Sequence, residues 1–258
     1  MAAMAAMLLL VAGAGAQAQG ANGTRSTLEL TGSHGSLSAG LPDAQALNLR
    51  GTWDFSGGDV LRAEALAERK FGSDGGIVAA GYTRVLSADW LLAGTLALGH
   101  GGANWARQRG ELEASAKWGA ARNIVTRAAL YRANFDAGRS DTGLRLAAVL
   151  YTAMPLVLEA GLTVNVSQPG RVSSRMPFAS ATYGSEGVQY LSARASAGSE
   201  AYQAIGAGQQ LVDFKSRSLG LNWRRWLGPQ WGFILQAESY HNPSYERTTF
   251  GLGAFAQW

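Results

Sequence analysis

The sequence predicts an all-β, transmembrane, antiparallel up-and-down β-barrel of fourteen strands, with twelve as the alternative count. Three observations carry this expectation. Apolar and polar residues alternate at period two in segment after segment, the spacing of a half-buried strand. The segments run to about ten residues or more, which is what a strand needs to cross a bilayer and long for a soluble sandwich. Trp residues recur at segment ends beside tight turns and share the apolar parity of their strands, as in the aromatic girdles of outer-membrane barrels. A soluble sandwich or lectin-like fold is the competing reading. It gives no reason for several Trp to gather on the apolar face at one rim.

The segments expected as strands are, in order, 25–33, 45–54, 60–70, 76–86, 90–100, 105–118, 123–135, 140–152, 155–168, 171–183, 187–200, 212–225, 230–241 and 245–258. The pattern is weakest in the first and in 76–86, whose two faces hardly differ. In 105–118, Leu112, Ala114, Ala116 and Trp118 oppose Glu111, Glu113, Ser115 and Lys117. In 140–152, Leu144, Leu146, Ala148 and Leu150 oppose Arg145, Ala147, Val149 and Tyr151. In 155–168, Leu156, Leu158, Ala160, Leu162, Val164 and Val166 share one face, with Glu159, Thr163 and Asn165 on the other. In 230–241, Trp231, Phe233, Leu235 and Ala237 oppose Gly232, Ile234, Gln236 and Glu238. The last segment alternates Phe250, Leu252, Ala254, Ala256 and Trp258 with smaller or polar residues.

The connections also suggest an orientation. "SADW", "GAARN", "TAMP", "GSEG" and "LGPQ" are tight, whereas 34–44, "GSDGG", "HGGANW", "FDAGRSD" and "GSEAYQAIGAGQQLV" read as longer, flexible loops. Short periplasmic turns and longer extracellular loops are usual in such barrels, and an even strand number puts both termini on the periplasmic side. The periplasmic girdle is then Trp90, Trp118, Trp223, Trp231 and Trp258.

Composition agrees. The 258 residues include 34 Gly, 8 Trp, only 6 Pro and no Cys. The lack of Cys removes disulfides and thiolate metal sites. The net charge is +4, but the 22 basic residues include only three Lys and are scattered singly. No run or patch suited to nucleic acid is present. At the start, "MAAMAAMLLLVAGAGAQAQG" carries a short apolar run and an A-x-A site at Ala16–Gln17–Ala18. Residues 1–18 are expected to be a signal peptide and 19–258 the barrel domain. An Ala-rich amphipathic helix is the bland alternative. No later stretch has 18 consecutive apolar residues.

Charges that fall on the inward parity are the candidate site. These are Arg62, Glu64, Glu68, Glu111, Glu113, Lys117, Arg127, Arg145, Glu159, Arg194, Arg224 and Glu238. An Arg or Lys facing mid-bilayer lipid costs about 2–4 kcal/mol, so they are expected to line the lumen. Two readings stay open: an internal ion-pair network that fixes the cross-section, and a polar path for a hydrophilic solute. Mixed signs argue against strong ion selectivity. Catalysis is not expected. The histidines are His34, His100 and His241; His241, Ser244 and Glu246 share one loop, but a triad needs converging side chains and an oxyanion hole. A three-His metal site would need three separate loops to meet. The Gly-rich loops open no helix, so no cofactor is expected.

The segments "SARASAGSEAY" and "DFKSRSLGLNWRRWLGPQWGFILQAESYHNPSYERTTFGLGAFAQW" resemble the YaiO-type outer-membrane β-barrel family. The carrying residues are Gly198–Ser199–Glu200–Ala201–Tyr202, Trp226–Leu227–Gly228–Pro229, Asn242–Pro243–Ser244–Tyr245–Glu246–Arg247 and the aromatic end, with "LELTGSHGSLSAGLPD" as the opening strand and loop. The resemblance implies a bacterial outer-membrane barrel, often associated with surface-polysaccharide loci; the function expected is a passive narrow channel or a polysaccharide-export-associated barrel. The alternatives are a closed structural or ligand-binding barrel and, third, a lipid-modifying enzyme. It implies no established reaction and no catalytic residues. The implied partners are outer-membrane lipid and lipopolysaccharide, a surface polysaccharide, and the barrel assembly machinery. The final strand looks like the C-terminal signal that this machinery reads.

Overall fold

A computed structural model describes residues 26–258 apart from 56, 207 and 208. The expected signal peptide, 1–18, lies outside the described residues. Fourteen strands form one closed antiparallel barrel in which each pairs with its sequence neighbours and the last pairs with the first. They are Thr27–Leu37 (β1), Ala44–Asp54 (β2), Val60–Lys70 (β3), Ser73–Val85 (β4), Trp90–Gly101 (β5), Gln108–Trp118 (β6), Ile124–Asn134 (β7), Ser140–Tyr151 (β8), Leu156–Gln168 (β9), Val172–Ser185 (β10), Gln189–Gly206 (β11), Gln209–Gly228 (β12), Trp231–His241 (β13) and Glu246–Gln257 (β14). A strand of 11 residues is about 36 Å long. Tilted by about 40°, it covers the apolar band of about 25 Å that such barrels present.

The closing seam is regular. Thr27 opposes Gln257 and the register continues without a break to Leu37 opposite Arg247. Beyond it, the Ser26 N–H donates to the Trp258 carbonyl and the Trp258 N–H to the Ser26 carbonyl, both at 3.0 Å. Gly253 allows the close approach there: a Cβ at that position would lie 2.3 Å from Thr31 Cγ2 and 2.5 Å from the Leu30 carbonyl oxygen.

Period-two alternation fixes which face is which. Leu96, Leu112, Leu130, Phe250 and Leu252 are each more than 60% exposed. That is an apolar surface suited to lipid rather than water. The residues between them point into the lumen. The first described residue, Ser26, and Trp258 share one rim, here the terminal rim, with the β2–β3, β4–β5, β6–β7, β8–β9, β10–β11 and β12–β13 turns. The far rim carries the other seven connections.

Two expectations need correction. The far-rim connections are not systematically longer. They span 38–43, 71–72, 102–107, 135–139, 169–171, 207–208 and 242–245, against 55–59, 86–89, 119–123, 152–155, 186–188 and 229–230 at the terminal rim. The stretch "GSEAYQAIGAGQQLV", expected as the longest loop, mostly continues β11 and β12 as a paired hairpin. Hydrophobic alternation stops where the lipid stops, but the backbone ladder runs on past it, so polar and Gly-rich strand ends read as loop. "HGGANW" also differs. β6 starts at Gln108 rather than at 105, because Trp105 turns inward and is 1% exposed. Its ring covers Gly75, where a Cβ would lie 2.5 Å from it.

Adjacent positions on β5 provide a test of the two faces. Leu96→Arg, on the lipid side, is expected to lose about 2–4 kcal/mol if it lies at mid-membrane. Thr95→Arg, which faces the lumen opposite Glu111, is expected to stay near wild type. Urea titration of the protein folded into vesicles measures both; equal losses would contradict the assignment of faces.

Candidate functional site

The lumen is built from the inward residues of all fourteen strands, and its charges fall into groups. Arg145 on β8 reaches past β7 to β6, with Nη2 at 2.5 Å from Glu111 Oε1 and 3.1 Å from Glu113 Oε2. Arg109 holds the other Glu111 oxygen at 2.7 Å, and its guanidinium lies 4.2 Å from the Tyr131 ring centroid. Arg127 on β7 similarly crosses β8 to Glu159 on β9 at 3.0 Å. On the other wall Glu29 is shared by Arg224 and by Arg50, which also approaches Glu64 at 3.8 Å. Arg247 pairs with Glu238. The pairs of Arg145, Arg127 and Arg224, made across skipped strands, brace the wall as well as neutralise it.

Three of the expected lumen cations have no carboxylate within 4 Å among the described residues. Arg62 and Lys117 make no ion pair, and Arg194 lies over the Phe178 ring at 4.1 Å. Glu68 also lacks an ion pair among the described residues. Among lumen residues not singled out from the sequence, Glu29, Arg50, Arg109 and Arg247 sit on the inward parity of expected strands, so the same alternation rule would have found them.

The far mouth is more tightly packed, and this was not legible. Glu200 Oε1 accepts from Ser216 Oγ at 2.5 Å and from Tyr240 Oη at 2.9 Å. Gln203 donates to Tyr245 Oη at 2.7 Å, and Asn242 donates to Gln203 at 3.2 Å. Asn242 Oδ1 in turn accepts the backbone N–H groups of Ser244 and Tyr245 at 2.8 and 2.9 Å. The Asn–Pro–Ser turn therefore forms as its residues dictate, but Asn242 is buried in it rather than exposed. Phe71, from the β3–β4 turn, meets Tyr245 edge-on at 5.5 Å, which brings the two sides of the mouth together. Lys70 is 1% exposed and its Nζ has no hydrogen-bond partner. Burial pushes the Tyr245 phenol up to about 12, so it remains a neutral donor and acceptor. A second chain at this end runs from Tyr131 through Asn165 and Ser167 to Asp141, at 3.1, 2.8 and 2.5 Å.

The girdle Trp lie at the terminal rim. Trp90, Trp118, Trp231 and Trp258 are each about half exposed on the outer face. Trp223 is more covered, donating to Gln189 at 3.1 Å and meeting Phe233 edge-on at 5.2 Å. Trp226, one register off, is inside the barrel with Tyr190, Ile234 and Phe255.

The three His do not converge. His34 pairs with Asp43 at 3.4 Å and His241 with Glu246 at 2.9 Å, both on the outer face near the far rim, and His100 lies on β5. No group of three metal-ligating side chains occurs among the described residues.

A family model described as the YaiO membrane beta barrel domain matches residues 25–203. The match covers the first ten strands and most of β11; the quoted segments from Trp226 onward lie beyond it. No curated protein sequence matches. Among solved structures, an outer-membrane channel from Pseudomonas putida F1 aligns at TM-score 0.58 and 10% identity over 95% of this chain and 98% of that one. The loop-deleted OmpT of Vibrio cholerae aligns at 0.53 and 9% over 92% and 99%. The translocator domain of the autotransporter NalP from Neisseria meningitidis aligns at 0.51 and 13% over 99% and 95%. At these identities the likeness is one of fold.

Removing Arg145 leaves Glu113 without its cation and Glu111 with Arg109 alone. Arg145→Ala is expected to cost about 3–5 kcal/mol, the range for breaking a buried pair, while Arg145→Met combined with Glu111→Gln and Glu113→Gln is expected to recover most of it. Unfolding midpoints of the wild type and these two variants in vesicles check this; Arg145→Ala as stable as wild type would show that the pair carries no load.

Proposed function

The chain belongs to the YaiO membrane β-barrel family, and from that premise we propose that it is a passive, narrow outer-membrane channel, shut at rest at its far mouth. The observation that carries this reading is the set Arg62, Lys117 and Arg194. They face the lumen with no carboxylate within 4 Å among the described residues, while most other lumen charges are paired. A purely structural network gains nothing from leaving cations unpaired; a path for hydrophilic solutes lined by them does. The preference it supports is modest and for anions, since both signs line the wall.

Closure is the role of the far-mouth cluster. Gln203, Asn242 and Tyr245 are each about 2% exposed and join hydrogen bonds from β11 to the β13–β14 connection. Passage requires this group to part. The same dense packing favours the second reading, a permanently closed structural barrel. The finer reading, a role in export of a surface polysaccharide, is supported by the family resemblance. Unpaired lumen cations and hydrogen-bonding Tyr, Asn and Gln side chains suit an acidic sugar chain as solute. The activity proposed is not enzymatic: the His241–Glu246 pair lies on the outer face, and Ser244 bonds to Asn242 through its backbone N–H.

Single-channel recording in planar bilayers tests both readings. The wild type is expected to be mostly closed with brief small openings. Asn242→Ala with Tyr245→Ala is expected to lengthen the openings, and Arg62→Gln, Lys117→Gln and Arg194→Gln together to abolish the anion preference in reversal potential. Silence of the wild type and of the mouth variant alike would overturn the channel reading in favour of the closed barrel.

A further inference from the structure

The outer faces of the two rims differ in chemistry. Among the described residues, Phe250 is the one exposed large aromatic side chain away from the terminal rim. The outward cations of the terminal rim stand singly: Arg122 pairs with Asp89 at 2.6 Å, Arg225 reaches the Val188 carbonyl at 3.5 Å, and Arg84 lies apart from both on β4. The far rim instead gathers several outward cations that have no carboxylate within 4 Å among the described residues. Three of them are neighbours on β10 and β12: Arg175, Lys215 and Arg217, all exposed.

Register places them in one patch. The Arg175 backbone N–H donates to Ser199 Oγ at 3.0 Å, and Ser199 on β11 stands opposite Lys215 on β12. Arg175 and Lys215 are therefore two strand spacings apart, about 10 Å, and Arg217 lies about 7 Å along the strand from Lys215. The nearest acids do not neutralise them. Asp213 lies beyond Lys215 toward the hairpin tip, and Glu246 is already bonded to His241, the residue opposite Arg217. The apolar band begins immediately below. Leu219 and Leu221 continue the Arg217 face and are 53% and 49% exposed. Between them and Leu158 and Leu162 of β9, the outer faces of β10 and β11 carry only Pro177, Ala179, Ala181, Ala193 and Ala195, leaving a shallow trough under the cations that ends at Tyr183 and Leu191.

We propose that Arg175, Lys215 and Arg217 form a docking site for the phosphorylated headgroup of an outer-leaflet glycolipid, with an acyl chain along the trough between β9 and β12. The argument is charge complementarity at the headgroup level. Three fixed, unpaired cations above an apolar wall match an anionic head on a hydrocarbon tail. The aromatic rim then faces the periplasmic leaflet and the cationic rim the outer one. The inference concerns the outer surface and does not depend on how the lumen functions.

The test uses full-length protein in detergent, diphosphorylated lipid A as the probe, and native mass spectrometry. Each single substitution, Arg175→Gln, Lys215→Gln or Arg217→Gln, is expected to weaken retention about fivefold, the effect of one Lys or Arg near a charged membrane surface, and the triple variant about 100-fold. Arg132→Gln, at the same rim on β7, is expected to leave binding unchanged. Heat-modifiable migration confirms folding, and the single variants decide the matter if the triple does not fold. Unchanged binding in the single variants would overturn the site. So would equal retention of phosphatidylethanolamine, which marks annular lipid, or full displacement by inorganic phosphate, which marks a free-anion site.

Discussion

In hydrocarbon, each backbone N–H or C=O left without a partner costs several kcal/mol, so the ladder between β14 and β1 is the contact on which the rest of this protein depends. It leaves no edge. The unbroken register from Thr27–Gln257 to Leu37–Arg247 shows how closely the two ends of the barrel are matched. Gly253 makes room there for Thr31. Once the sheet closes, every side chain must face either lipid or lumen, and a slip of one residue would exchange the two sets on a whole strand.

That partition explains the interior. Charges excluded from the lipid are forced together inside a confined space, and they are tolerated there because most are paired. Arg145 with Glu111 and Glu113, Arg127 with Glu159, and Glu29 with Arg50 and Arg224 each tie strands that are not all neighbours in the ladder. The side chains thus brace a wall that the backbone alone holds only between adjacent strands. At the far mouth bracing gives way to filling, where Glu200, Gln203, Asn242 and Tyr245 replace ion pairs with a hydrogen-bonded cluster.

Most of the fold was legible in the sequence because the dominant force on it has a period. Lipid on one side and a polar lumen on the other impose strict alternation, which marks strands such as β8 and β9 nearly to the residue. The signal ends where the membrane ends. Hence β1 runs four residues past its expected end, and the β11–β12 hairpin, with buried Tyr202 and Gln203, looked like a loop. The lumen charges were legible for the same reason, whereas their pairings were not. Nothing local tells Arg145 to choose Glu111 across β7, or leaves Arg194 on Phe178. The far-mouth cluster was hidden most fully. It joins the β3–β4 turn, β11 and the β13–β14 connection, which only barrel closure brings near one another.

Closure in the stated register is therefore the claim to measure. The chain contains no Cys, so a single engineered pair reports cleanly. Leu30 and Ala254 are opposed across the seam on the lipid face, where the Cα separation of paired strands, about 4.5–5.5 Å, suits a disulfide. Leu30→Cys with Ala254→Cys is expected to oxidise in the envelope of living cells to an intramolecular bond that alters migration under denaturing, non-reducing conditions. Intermolecular dimers instead, or efficient bonding of Leu30→Cys only to a cysteine placed at Leu252 or Ala256, would contradict the closed fourteen-strand barrel in this register.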